Sequence, residues 1–85
     1  MPAEKRFVYV LKNEDVPSRF YVGLTSDVAG RIADHNTGQC PQTARRRPWR
    51  LHVVIAFSNE QRAMRFERYL KSISGRAFVK QHFED

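Results

Sequence analysis

The chain has 85 residues and a mass of 10.0 kDa, enough for one small domain, expected over residues 1–85 with its core at about 7–83, and not for two. Apolar residues make up 41% of it, enough for a packed core, but no run of them is long enough for a membrane span or a signal peptide. One cysteine, Cys40, excludes an intrachain disulfide or a zinc finger and suggests the reducing cytoplasm, while a net charge of +6 and a pI near 10.1 suggest a polyanionic partner or a solvated basic surface.

Residues 7–11, FVYVL, are β-branched and aromatic, which predicts a strand; both faces are apolar, which places it inside a sheet. Residues 13–18 supply turn chemistry and strand character resumes at 20–24, so a hairpin is expected. Ser26 or Asp27 caps a helix that Gly38 stops, with Gly30 a weak point inside it. A basic loop covers 39–48. The third strand, 51–57, is expected to put Leu51, Val53, Ile55 and Phe57 on one face. Ser58 with Gln61 fits a capping box, opening a helix to about Ser72 whose buried stripe is Ala63, Phe66, Leu70 and Ile73. Gly75 is expected to break that helix, and a short last one runs from Phe78 to Phe83. The order β-β-α-β-α-α predicts an α/β sandwich with a central three-stranded, mainly antiparallel sheet flanked by helices.

Several polar residues break this pattern. Glu67 falls at the margin of the apolar stripe, where a carboxylate needs a cation, a metal or a proton; Lys71, one turn on, is the simplest partner. Arg31 and His35 are an i, i+4 pair beside Val28, so both project from one edge of their helix, either as a surface pair or as working groups. Tyr9 and Tyr21 lie within apolar strands, where a tyrosine hydroxyl normally finds a hydrogen-bond partner. Gly23 shares the face of Tyr21, and a glycine inside a strand often marks a close approach to the backbone.

These residues also carry a family resemblance. The spacing of Phe7-Val8-Tyr9, Tyr21-Val22-Gly23, Arg31, His35-Asn36, Glu67 and Lys71 resembles the GIY-YIG nuclease superfamily, and in particular its small stand-alone bacterial members. Thr25-Ser26-Asp27, Thr37-Gly38, Arg47-Pro48-Trp49, Ala63, Phe66 and residues 71–76 extend the likeness over nearly the whole chain. Phe7 stands where the first motif usually has Gly, and Val22 where the second usually has Ile; both tyrosines remain. The resemblance implies an endonuclease that hydrolyses phosphodiesters in DNA by in-line attack of water, in a setting of repair or recombination. It implies one divalent metal, Mg²⁺ with Mn²⁺ as a substitute, held by Glu67, since magnesium keeps most of its waters and takes other oxygens from phosphate. Tyr9 aligns with the tyrosine that activates the water, and Arg31 with the arginine that stabilises phosphoryl oxygens. An ordinary tyrosine is a poor base, so Arg31 or the metal is expected to lower its pKa. Tyr21 would bond the scissile phosphate or the water, His35 would carry a proton or bind phosphate, and Lys71 would neutralise phosphate or orient Glu67.

The charge is unevenly placed. Residues 1–40 carry five basic and five acidic side chains, so the whole excess lies in the second half. There Arg45, Arg46, Arg47 and Arg50 surround Trp49, a combination that suits phosphate contacts and base stacking, the alternative for Trp49 being packing under the third strand. The expected partner is nucleic acid, most simply DNA, held without base reading and therefore with low sequence specificity. Two other classes fit parts of the pattern: a non-catalytic nucleic-acid-binding module on the same fold, and a small protein whose basic loop docks an acidic partner.

Overall fold

The computed structural model describes residues 6–83; the ends of the chain, with Glu4 and Lys5, lie outside the described residues. The elements run β1 (Arg6–Asn13), β2 (Phe20–Thr25), α1 (Val28–Thr37), a single 3-10 turn (Ala44–Arg46), β3 (Trp49–Phe57), α2 (Glu60–Leu70) and α3 (Ile73–Phe83). The order and the α/β class are those expected. The sheet is antiparallel throughout, in the order β2-β1-β3.

The doubly apolar first strand takes the centre of the sheet. Val8, Tyr9, Val10 and Leu11 are at most 1% exposed, so β1 carries two cores, one on each face. Val8 and Val10 pack with Val22, Ala63, Leu70 and Val79 under α2 and α3. Tyr9 and Leu11 pack with Trp49, Tyr21 and Ile32 under α1. Partners across an antiparallel ladder project from the same face. Because Tyr9 pairs with Gly23 and Leu11 with Tyr21, both tyrosines stand on the α1 face. A Cβ at Gly23 would run into the phenol of Tyr9, so the close approach marked by this glycine is made by the chain's own side chain.

Three local expectations are corrected. In β3 a bulge beside His52 shifts the register, pairing Leu51 with Leu11 but Val53 with Val10. Leu51 therefore lies on the opposite face from Val53, Ile55 and Phe57, and is 41% exposed. The cap of α2 is Asn59, whose side chain accepts from the Arg62 N–H, rather than Ser58. Finally, α2 stops at Leu70 and Gly75 lies inside α3 rather than ending a helix. Ser72 makes the break: its Oγ accepts from the Gly75 N–H at 3.1 Å and its carbonyl from the Arg76 N–H at 2.9 Å. Ile73, past the break, points to solvent at 90% exposure instead of continuing the stripe.

Gly75 is buried, and a Cβ there would strike the carbonyl of Tyr69 and the Cα of Leu70. Its small size lets α3 start against the last turn of α2. Gly75→Ala is therefore expected to lower stability by about 1–3 kcal/mol, the usual range for overpacking, measurable by urea denaturation. A change below about 0.5 kcal/mol would mean that the two helices part without cost.

Candidate active site

The α1 face of the sheet holds a buried chain of hydrogen bonds that starts at Tyr9. The helix that supplies it is set by its ends: the Asp27 carboxylate accepts from the Gly30 N–H, and Gly38 closes the helix at φ 85°. Between them α1 turns His35 onto the sheet, where it is fully buried. Its Nε2 lies 2.9 Å from the Tyr9 hydroxyl and its Nδ1 2.7 Å from Thr43 Oγ1. Thr43 Oγ1 in turn donates to the Cys40 carbonyl at 3.3 Å. A hydroxyl has one hydrogen to give. One assignment satisfies all three bonds: with the Thr43 hydrogen on the Cys40 carbonyl, Nδ1 carries its own hydrogen and donates to Thr43. That leaves Nε2 as an acceptor, so the Tyr9 hydroxyl donates to His35.

Thr43 was not singled out in the sequence; it is 1% exposed and sits in the basic loop. A second tie holds it there, because the Trp49 indole N–H donates to the Thr43 carbonyl at 3.1 Å. Trp49 itself is 4% exposed, and its backbone is clamped by the Asn36 side chain through bonds of 2.7 and 2.9 Å. This corrects the expectation that Trp49 offers a stacking surface to bases: it is a core residue that anchors the loop. Burial likewise removes His35 from direct contact with phosphate, since both ring nitrogens are engaged within the fold.

The electrostatics follow from burial. Desolvation pushes the Tyr9 pKa above its ordinary 10.0, with the nearby Arg31 guanidinium acting in the opposite direction. The expected lowering by Arg31 is thus present but outweighed, and Tyr9 keeps its proton at neutral pH. Tyr21 is also raised, by burial and then by the nearby Cys40 thiol. His35 is lowered from 6.5, by burial first and the Arg31 charge second, so its imidazole is neutral at pH 7. Arg31 also pairs with Asp34 at 3.5 Å.

Tyr21 joins these groups to α2. Its ring centroid is 4.7 Å from that of His35, 6.4 Å from that of Tyr9, and 5.8 Å from the Lys71 ammonium. Lys71 Nζ meets Glu67 Oε2 at 2.6 Å, and the Glu67 charge is felt at Tyr21. The structure thus connects Tyr9, Tyr21, Arg31, His35, Glu67 and Lys71 in one neighbourhood. Among the described residues no group of three or more His, Cys, Asp or Glu could cage a metal. A single carboxylate, 19% exposed, does fit magnesium, which binds through one or two carboxylates plus phosphate and water. Arg45, Arg46, Arg47 and Arg50 are all exposed but are differently engaged: the Arg47 guanidinium bonds the Ala44 carbonyl at 2.7 Å near Gly38, whereas Arg46 lines a cavity together with Ser18 and Phe20.

Comparison with known proteins identifies the family of the fold. The profile of the GIY-YIG catalytic domain matches residues 5–82. The chain belongs to the GIY-YIG family. A UPF0213 protein of Streptococcus agalactiae is 38% identical over 80 residues, covering 89% of each chain. The structure-specific endonuclease subunit SLX1 of Scheffersomyces stipitis is 37% identical over 81 residues, 87% of this chain but 24% of that protein. The solution NMR structure of a UPF0213 protein from Bacillus halodurans superposes with a TM-score of 0.56 at 34% identity, covering 93% of this chain and 86% of that one. Membership in the GIY-YIG family supports a nuclease-type function.

The shifted groups of this GIY-YIG domain make its stability depend on pH. His35 binds a proton less readily folded than unfolded, so stability is lost as pH falls through 6.5 toward its lower folded pKa. Tyr9 and Tyr21 hold theirs more tightly when folded, so stability is also lost as pH rises through 10.0. The melting temperature is expected to be highest between these limits. From roughly pH 7 to 5.5 the fall should be shallower in His35→Gln, because that side chain does not titrate; equal slopes would contradict a buried neutral His35.

Proposed function

We propose that this chain is a divalent-metal-dependent endonuclease that hydrolyses DNA phosphodiesters by in-line attack of water, with low sequence specificity. The observation that carries this reading is the bond from the Tyr9 hydroxyl to His35 Nε2 at 2.9 Å, with the other ring nitrogen held by Thr43. A tyrosine whose pKa is raised cannot act as a standing phenolate near pH 7. It can pass a proton on: its oxygen accepts a proton from the attacking water while its own hydrogen moves to the neutral Nε2. The imidazolium so formed keeps Nδ1–H on Thr43, and the new phosphorus–oxygen bond forms as the opposite one breaks, the departing sugar oxygen taking a proton from solvent. Arg31, fully charged and beside Tyr9, meets the negative phosphoryl oxygens. The Tyr21 hydroxyl orients the phosphate or the water. A divalent cation held by Glu67, Mg²⁺ or Mn²⁺ in its place, would supply Lewis-acid stabilisation of the phosphoryl charge. Lys71 holds Glu67 in place and adds positive charge beside Tyr21. No base-reading element faces this neighbourhood from the described residues, which supports the low specificity.

The ion pair of Glu67 with Lys71 favours one second reading, a nucleic-acid-binding module without turnover, in which the carboxylate serves only that pair. One variant separates the two. For the nuclease, Glu67→Ala is expected to abolish Mg²⁺-dependent nicking while affinity for DNA in EDTA persists or rises, because a negative charge has gone. Stability should change by no more than about 0.5 kcal/mol, the scale of a helical i, i+4 ion pair. Full nicking by the purified variant would remove the metal assignment, and a wild-type protein that binds DNA but never nicks it would favour the binding module.

The proton path has its own signature. Wild-type cleavage is expected to be level from neutral pH down to 6.5 and to decline only below it, because His35 must be neutral to receive the proton. Tyr9→Phe should lose about 10²–10⁴-fold in rate, the usual contribution of positioned proton transfer. A rate within about threefold of wild type would exclude Tyr9 from the reaction.

A further inference from the structure

A cavity of about 770 Å³ lies outside the Tyr9–His35 chain, and Phe20, Tyr21 and Val22 all line it. Consecutive strand residues point to alternate faces, so a cavity touching all three straddles the edge of β2. Among the described residues β2 has a strand neighbour on one side only. The cavity therefore opens at Tyr21 on the catalytic face and continues around the strand toward α3.

Its chemistry is one-sided. Arg46, Lys71, Arg76 and Lys80 line it, and among the described residues no carboxylate does. Arg76 and Lys80 are one turn apart on α3, hence on one face of that helix, while Arg46 comes from the 3-10 turn on the far side of β2. Lys71 pairs with Glu67, but Arg46, Arg76 and Lys80 pair with no carboxylate among the described residues. The floor is apolar, made by Phe20, Val22, Leu70 and Val79. Three unpaired cations around an apolar floor suit a polyanion that also exposes flat apolar faces.

Resting on the nuclease reading above, we propose that this groove holds a single-stranded segment of nucleic acid adjoining the scissile phosphate. In a duplex the base faces are stacked on one another, so a duplex offers nothing to the apolar floor and does not seat its phosphates in the groove. An unpaired strand presents both parts: phosphates for Arg46, Arg76 and Lys80, and base faces for the floor. Tyr21 belongs to both places, so the strand leaves the catalytic neighbourhood directly into the groove. The substrate class assigned is thus nucleic acid with an unpaired segment at the cut, as in a free single strand, a flap or a frayed end.

The test measures binding apart from cleavage. Fluorescence anisotropy in EDTA compares a labelled 12-nucleotide single strand with a blunt duplex of the same length, at several salt concentrations. The variant is Arg76→Ala with Lys80→Ala, both exposed on α3. Arg62→Ala with Arg65→Ala serves as a charge-matched control, since those residues line a separate hollow on α2. The groove variant is expected to bind the single strand about tenfold more weakly, with a log–log salt slope lower by about 1.4, that is two phosphate contacts at about 0.7 each. Duplex binding and the control variant should change by less than about threefold. Equal loss for strand and duplex would overturn the single-strand assignment, and equal loss in the control would reduce the effect to net charge. Unchanged single-strand binding in a groove variant that still nicks would overturn the groove and leave the nuclease reading standing. Wild-type protein that neither binds nor cuts any nucleic acid would overturn both. A glutamate-rich peptide held more tightly than the oligonucleotide, and lost in the groove variant, would give the groove to a protein partner instead.

Discussion

The hydrogen bond between the Tyr9 hydroxyl and His35 Nε2 sits where the sheet, the first helix and the basic loop meet, and each of the three is shaped to allow it. Tyr9 reaches the α1 face because β1 is apolar on both sides and takes the centre of the sheet. Its ring has room because position 23 has no side chain. His35 meets it because α1 is fixed at one end by the Asp27 cap and stopped at the other by Gly38. Thr43 closes the chain because Trp49 and Asn36 tie the basic loop to the start of β3. A buried donor or acceptor left without its partner costs about 1–3 kcal/mol, so the polar chain constrains the fold as firmly as the two apolar cores beside it.

The same burial sets the chemistry. Desolvation moves Tyr9 and His35 in opposite directions, the phenol up and the imidazole down, and both shifts favour the uncharged pair. Arg31, close by and permanently charged, adds to the lowering of His35 and works against the raising of Tyr9. Groups whose charge states are separated in this way, beside the Arg31 cation, suit a reaction in which a proton moves as negative charge develops on phosphate. The positive excess of the second half of the chain does not form one patch around the basic loop. Arg47 lies back on the loop, while Arg46 joins the α3 cations across β2.

Much of this was legible in the sequence where local pattern and tertiary role coincide. A strand apolar on both faces has to be interior, a glycine in a strand has to make room for something, and Asp27 and Gly38 bound a helix by their own chemistry. The helix break at Ser72 was hidden because apolar periodicity carries through Ile73, while the deciding bonds come from a serine hydroxyl and carbonyl to the next turn. The bulge beside His52 was hidden for a related reason: alternation is a local rule, and the slip appears only in pairing with β1. Tyr9, Tyr21, Arg31, His35 and Glu67 stood out as polar residues at apolar margins. Thr43 did not, because a threonine in a loop of arginines carries no local sign of burial. Trp49 was read two ways, and its exposure was decided by Asn36, thirteen residues away in the chain.

His35 stands as a neutral acceptor for the Tyr9 proton, with its own hydrogen on Nδ1. Nitrogen-15 NMR of the histidine side chains measures this directly, since the two ring nitrogens resonate differently in each tautomer and in the imidazolium. At neutral pH the His35 ring is expected to show hydrogen on Nδ1 and none on Nε2, persisting down to pH 6.5, and to lose that preference in Thr43→Val. Hydrogen on Nε2, or a doubly protonated ring at neutral pH, would contradict it, because the imidazole could then take no proton from Tyr9.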